Sequence, residues 1–202
     1  EVDVIGSADR QTLTGHAGAN LLNGRGGADL MIGLAGNDTY SVDNLGDRVI
    51  EAAAGGTDKV ESSVSYTLSS EVENLTLMGI GNLRGTGNNS LTTGNVLTGN
   101  DGNNVLDGRA GVDTMYGGLG DDMFIVDNTA DVVDDRINGV GPQGGNDGVF
   151  TTVSYTLAAL NGVNYLNAIG GGIINLTGNE LNNSLAGNAA ANVLTGNAGN
   201  DK

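Results

Sequence analysis

The chain has no cysteine, no tryptophan, one proline and one histidine, and aromatic residues make up only 3% of it. The absence of cysteine removes both a disulfide framework and thiolate metal sites, and leaves the redox compartment open. With so few aromatics, 202 residues cannot build a conventional globular core. Bases are scarce as well. Eight Lys and Arg stand against 24 Asp and Glu, a formal net charge of -16, which argues against nucleic acid or an anionic membrane as partner and favours cations. No apolar run approaches membrane-spanning length, so no membrane insertion is expected. The first residues, EVDVIGSADR, lack the basic and apolar regions of a cleaved export signal. His16 has no paired nucleophile, and the chain contains no G-x-S-x-G elbow, no Walker loop and no zinc-spaced His or Cys set. The chain is therefore read as non-enzymatic.

What is abundant is glycine, 36 residues of it, and it recurs in register. The stretch Gly108 to Ile125, GRAGVDTMYGGLGDDMFI, is two nine-residue units end to end. Each opens on glycine, with an aspartate at its sixth position (Asp113, Asp122) and a large apolar residue at its eighth (Met115, Phe124). The same register runs from Gly6 through Gly15, Gly24 and Gly33, with Gln11, Asn20, Asp29 and Asp38 at position six and Leu13, Leu22, Met31 and Tyr40 at position eight. A second array has Asn95, Asn104, Asp113 and Asp122 at position six. A third begins at Gly178 with Asn183 and Asn192, and reaches Asp201 mid-unit, as if excised from something longer.

The glycines permit positive φ and tight turns, and the residues between them suffice for a stub of strand with one inward side chain. Two units make a coil of eighteen residues, so position-six residues eighteen apart face each other. Taking Val42 as position one places Asp47 opposite Asp29, and Asp131 likewise falls opposite Asp113. Carboxylates held that close repel unless a hard cation lies between them, and carboxylate plus carbonyl oxygen is calcium chemistry. The amide-lined early units are expected to rely on side-chain hydrogen bonding, and the carboxylate-lined later ones on metal.

Between the arrays the glycine turns lapse. Residues 57–79 alternate Val60, Ser62, Val64, Tyr66 and Leu68, and residues 146–170 repeat the block, sharing VSYTL at 64–68 and 153–157. These predict longer strands with one buried face. Residues 136–145, with the only proline, predict a surface loop. One continuous solenoid over 1–202 is expected, with a first array at 6–50, spacer strands at 51–89, a second array at 90–135, spacer strands at 136–177 and the start of a third array at 178–202. The acids Glu71, Glu73, Asp134 and Asp135 read as solvated surface charge, and Tyr66 and Tyr155 as inward packing.

These motifs resemble the hemolysin-type (RTX) calcium-binding nonapeptide repeat family, whose arrays alternate with VSYTL…VENLTL…GTGN segments in large secreted bacterial proteins. Those segments fall here at 64–68, 72–77 and 85–88. The resemblance implies an all-β fold, a parallel β-roll or right-handed β-helix-like solenoid, with several Ca2+ ions between stacked turns. It also implies one-step (type I) export reading a C-terminal signal, and a secreted, extracellular or cell-surface location. Its ligands are turn aspartates and carbonyls of the glycine turns, here Asp29 with Asp47, Asp113 with Asp131, and the turn glycines Gly27, Gly36, Gly111 and Gly120. An extension beyond the family pattern adds Asp38 with Asp58 and Asp122 with Asp147, because Asp58 and Asp147 each follow Gly-Gly and precede a strand.

The expected role is a structural spacer that stays unfolded at low calcium and folds where calcium is about 10⁻³ M, the range of extracellular modules. The alternatives are an extracellular polysaccharide-binding or adhesion module, and a segment that self-associates end to end.

Overall fold

The computed structural model describes residues 2–135, 144–159 and 161–202. Most of the expected loop at 136–145 lies outside the described residues. The chain winds as a parallel β-solenoid of about 10 turns, with no helix among the described residues. One wall is an eight-stranded sheet of β1 (Val2–Ile5), β3 (Asn20–Asn23), β5 (Thr39–Val42), β7 (Lys59–Ser62), β9 (Asn74–Leu77), β11 (Val96–Thr98), β13 (Thr114–Tyr116) and β15 (Val132–Asp134). Facing it are a three-stranded sheet of β2 (Thr12–Thr14), β4 (Leu30–Ile32) and β6 (Arg48–Ile50) and a seven-stranded sheet. The latter comprises β8 (Tyr66–Thr67), β10 (Arg84–Thr86), β12 (Val105–Asp107), β14 (Met123–Val126), β16 (Gly148–Thr151), β18 (Tyr165–Ala168) and β20 (Ser184–Ala186). A last three-stranded sheet holds β17 (Tyr155–Thr156), β19 (Leu176–Thr177) and β21 (Leu194–Thr195).

The inward residues form columns because every coil repeats the same register. Leu22 pairs with Tyr40, Tyr40 with Val60, Val60 with Leu75, Leu75 with Leu97, Leu97 with Met115 and Met115 with Val133. On the facing wall Leu106, Phe124, Val149, Leu166 and Leu185 align in the same way. Most of these short strands bury one residue or two, so the core is a thin stack of single side chains, and its area is set by the number of coils. Leu194, expected inside as an eighth-position residue, is 45% exposed in the edge strand β21.

The spacers differ from expectation in one respect. The alternation from Val60 to Leu68 predicted one longer strand, whereas the chain turns a corner between β7 and β8. Ser62, fully buried, makes that corner. Its Oγ donates to the Val64 carbonyl at 2.7 Å and accepts the Val64 N–H at 3.3 Å. Thr151 does the same for Val153 at 2.8 and 3.1 Å. A β-branched or small hydroxyl residue inside an alternating run is thus a corner signal, since it satisfies locally the backbone groups a bend removes from the ladder. Tyr66 and Tyr155 pack against the core as expected, and the Tyr155 hydroxyl donates to the Asp131 carbonyl at 2.9 Å.

Candidate metal centre

Stacking the coils stacks the turns, and the position-six side chains link each turn to the next. The Asp29 N–H donates to Asp47 Oδ1 at 2.9 Å, Asp38 to Asp58 at 2.7 Å, Asp113 to Asp131 at 2.9 Å and Asp122 to Asp147 at 2.8 Å. All four expected pairs are therefore brought together in one geometry, including the two whose coils are swollen beyond eighteen residues. The ladders begin on amides. Gln11, Asn20, Asn95 and Asn104 donate their N–H to Asp29, Asp38, Asp113 and Asp122, each at 2.7 Å.

Each such aspartate uses one oxygen in the ladder. The second oxygens of Asp29, Asp38, Asp58, Asp113 and Asp122 are buried with no hydrogen-bond partner. Those of Asp29, Asp38, Asp113 and Asp122 point at the position-one glycine of their own turn: a Cβ on Gly24 would lie 2.2 Å from Asp29 Oδ2, and one on Gly108 2.6 Å from Asp113 Oδ2. Asp47 and Asp131 differ. Their Oδ2 atoms accept N–H groups of Asp43 and Asn44, and of Asp127 and Asn128, at 3.1 to 3.3 Å, so these two residues close their ladders with both oxygens engaged.

The turns fall into two conformational classes that follow position six. Where it is aspartate in a unit that opens on glycine, positions two and four both have positive φ: Arg25 and Gly27, Leu34 and Gly36, Arg109 and Gly111, Gly118 and Gly120, Asn197 and Gly199; the units of Asp47 and Asp131, which open on Val42 and Val126, have neither. Where it is Asn or Gln, position two keeps negative φ. Its N–H then donates to the amide oxygen: His16 to Asn20 at 2.6 Å, Asn100 to Asn104 at 2.7 Å, Asn179 to Asn183 at 2.8 Å. The amide nitrogen completes the turn, as when Asn20 Nδ2 donates to the Gly18 carbonyl at 2.7 Å. An amide carries its own donor, and a carboxylate has none. Holding Arg25, Leu34 and Arg109 in the left-handed region costs roughly 1–2 kcal/mol each, which the surroundings must offset.

Two further acids join the ladders. Asp38, Glu51 and Asp58 form one group and Asp122, Asp135 and Asp147 another, each offering three carboxylate oxygens within 4.8 Å of one another. Asp135, expected at the surface, is 1% exposed with both oxygens unpartnered. Glu73 is also not free surface charge, because its Oε2 accepts the Asp58 N–H at 2.8 Å. A signal for Glu51 and Asp135 was present in the register. Each stands one coil after a position-one glycine, Gly33 or Gly117, in the slot where another glycine is due.

Burial above all, with neighbouring carboxylates adding to it, pushes Asp113 and Asp58 up to about 6, Asp122 and Glu51 to about 7 and Asp135 to about 8. Ordinary carboxylates titrate near 4. Among the described residues no Lys or Arg pairs with a turn aspartate; Lys59–Glu61 and Arg84–Asp107 lie elsewhere. A buried carboxylate without donor or base is costly, and a proton or a hard cation offsets that cost. Oxygen-only donors, with four of the turn aspartates facing a glycine cradle, fit Ca2+.

A family model of the RTX calcium-binding nonapeptide repeat (4 copies) matches residues 5–40, 92–124 and 177–202. The chain carries RTX calcium-binding nonapeptide repeats. No curated protein and no solved structure matches it. Asp29, Asp38, Asp113 and Asp122 lie within the matched segments, whereas Asp47, Asp58, Asp131 and Asp147 lie beyond them, in the coils that follow. The turn glycines Gly27, Gly36, Gly111 and Gly120 have φ of 114°, 123°, 139° and 101°. The Gly111 carbonyl accepts a hydrogen bond from Asn128 Nδ2. His16 serves the amide turn, its ring within 3.2 Å of Asn20 Nδ2.

Proposed function

We propose that this chain is a non-catalytic, calcium-dependent spacer of a secreted or cell-surface protein, ordered outside the cell by ions held at its carboxylate turns. The single observation that supports this reading most is the set of buried second oxygens on Asp29, Asp38, Asp58, Asp113 and Asp122, which have no donor among the described residues. The proposed ligands are the pairs Asp29 with Asp47, Asp38 with Asp58, Asp113 with Asp131 and Asp122 with Asp147, joined by carbonyls around Gly27, Gly36, Gly111 and Gly120.

Calcium supplies positive charge at these turns. The protein's own groups do the rest. The backbone N–H ladder fixes one oxygen of each acid so that the other is aimed inward, and the position-one glycine leaves room beside it. Without the cation, carboxylate repulsion and the chain entropy of 36 glycines outweigh a core one side chain wide. Export before folding follows naturally, because the chain remains thread-like where calcium is scarce. Circular dichroism in chelator and in about 10⁻³ M calcium tests the reading. A β spectrum that appears only with calcium supports it, and a full β spectrum in excess chelator sinks it.

A further inference from the structure

We propose that each of the first two arrays ends in a three-carboxylate site for one divalent cation, in which Glu51 and Asp135 are metal ligands outside the nonapeptide motif. The first site is Asp38, Glu51 and Asp58; the second is Asp122, Asp135 and Asp147. This inference rests on the calcium reading above and goes beyond it by naming ligands and an order of filling.

Both sites are built around the position-one glycine of an array's last full repeat. A Cβ on Gly33 would lie 2.3 Å from Asp38 Oδ2 and 2.4 Å from Glu51 Oε1. One on Gly117 would lie 2.4 Å from Asp122 Oδ2 and 2.6 Å from Asp135 Oδ1. The oxygens therefore converge on the same side of the same glycine in each array. A separation of up to 4.8 Å between carboxylate oxygens suits one ion with each oxygen about 2.3–2.6 Å away. The acids are not simply crowded on a surface: Asp38, Asp58, Asp122 and Asp135 are each at most 3% exposed, and each has an oxygen with no partner.

The sites are unequal, and the residue beneath them explains why. In the first, Tyr40 donates its hydroxyl to Glu51 Oε1 and the Ala52 N–H donates to Oε2 at 3.1 Å, so Glu51 is already engaged. In the second, Phe124 stands where Tyr40 stands and offers no donor, so the Asp135 carboxyl faces only the neighbouring carboxyls of Asp122 and Asp147. Ligand charge sets calcium affinity in oxygen sites. The second site therefore fills first, the first site next, and the two-acid turns at Asp29–Asp47 and Asp113–Asp131 last.

The test is calcium binding by the whole 202-residue chain, measured by equilibrium dialysis and calorimetry on Asp135→Asn, Glu51→Gln, Tyr40→Phe and the exposed control Asp101→Asn. Asp135→Asn is expected to remove one ion from the tightest class or weaken it at least about tenfold. Glu51→Gln should do the same to the next class, and Asp101→Asn should do neither. Tyr40→Phe, which keeps every carboxylate, is expected to tighten the first site toward the second. Unchanged ion counts and affinities in Asp135→Asn and Glu51→Gln, with calcium binding by the parent intact, overturn this inference and leave the spacer reading standing. A parent chain that binds no calcium overturns both.

Discussion

At the scale of single residues, the chemistry turns on one oxygen per aspartate and the hydrogen atom of the glycine facing it. Gly24 keeps a φ open to any residue, so Gly24→Ala introduces no backbone strain, only a methyl 2.2 Å from Asp29 Oδ2. That substitution is expected to raise the calcium concentration for folding several-fold while leaving a calcium-saturated β spectrum, as read by a circular dichroism titration. An unshifted midpoint would mean the Asp29 oxygen has another role. Protons compete for the same atoms. Since Asp113, Asp122 and Asp135 titrate at about 6, 7 and 8 when folded and near 4 when unfolded, the calcium-free folded state binds more protons than the unfolded one. Its stability is greatest below about pH 4 and is lost as pH rises to about 8. In chelator, acidification from pH 8 to pH 4 is therefore expected to increase the β signal, and a signal that falls on acidification contradicts the assignment.

At the scale of the turn and the strand, sequence and structure agree where the nine-residue count is unbroken and part where it lapses. Leu22, Met31, Leu106 and Met115 were legible as core because each occupies the eighth position of a regular unit, and all are fully buried. Asp58 and Asp147 were legible because Gly-Gly before a strand imitates the motif. The corner at Ser62 was not, because a period of two continues through it and only the buried hydroxyl marks the bend. Asp135 was missed because neighbouring acids in sequence suggest solvent, whereas its place in the eighteen-residue winding puts it over Gly117. The two turn classes follow position six, and positions two and four set how readily a turn could change class. Asn104 sits in a turn with Asn100 at position two and Gly102 at position four, residues that tolerate positive φ, while Asn183 shares its turn with Leu181. Asn104→Asp is thus expected to add a calcium-binding turn with little loss of stability in saturating calcium. Asn183→Asp should cost roughly 1–2 kcal/mol more, from a left-handed leucine. Thermal melts of the two variants in calcium compare them directly, and equal melting temperatures would separate turn conformation from the position-six residue.

At the scale of the whole molecule, a net charge of -16 on a glycine-rich chain becomes an organised feature. The acids are collected on stacked turns, where the winding repeats each site and a divalent ion, once bound, would remove repulsion between coils. The spacers keep this stack continuous. Where β6 and β8 fail to pair, β5, β7 and β9 carry the ladder across, and where β15 and β17 fail to pair, β14, β16 and β18 do. One wall always passes through, so the core columns are not interrupted. The most direct measurement is anomalous scattering from crystals of the chain grown with calcium. The account predicts ions bonded to the second carboxylate oxygens of Asp29, Asp38, Asp58, Asp113 and Asp122. Ordered turns whose oxygens instead meet only water or protein donors, in the presence of calcium, would contradict it.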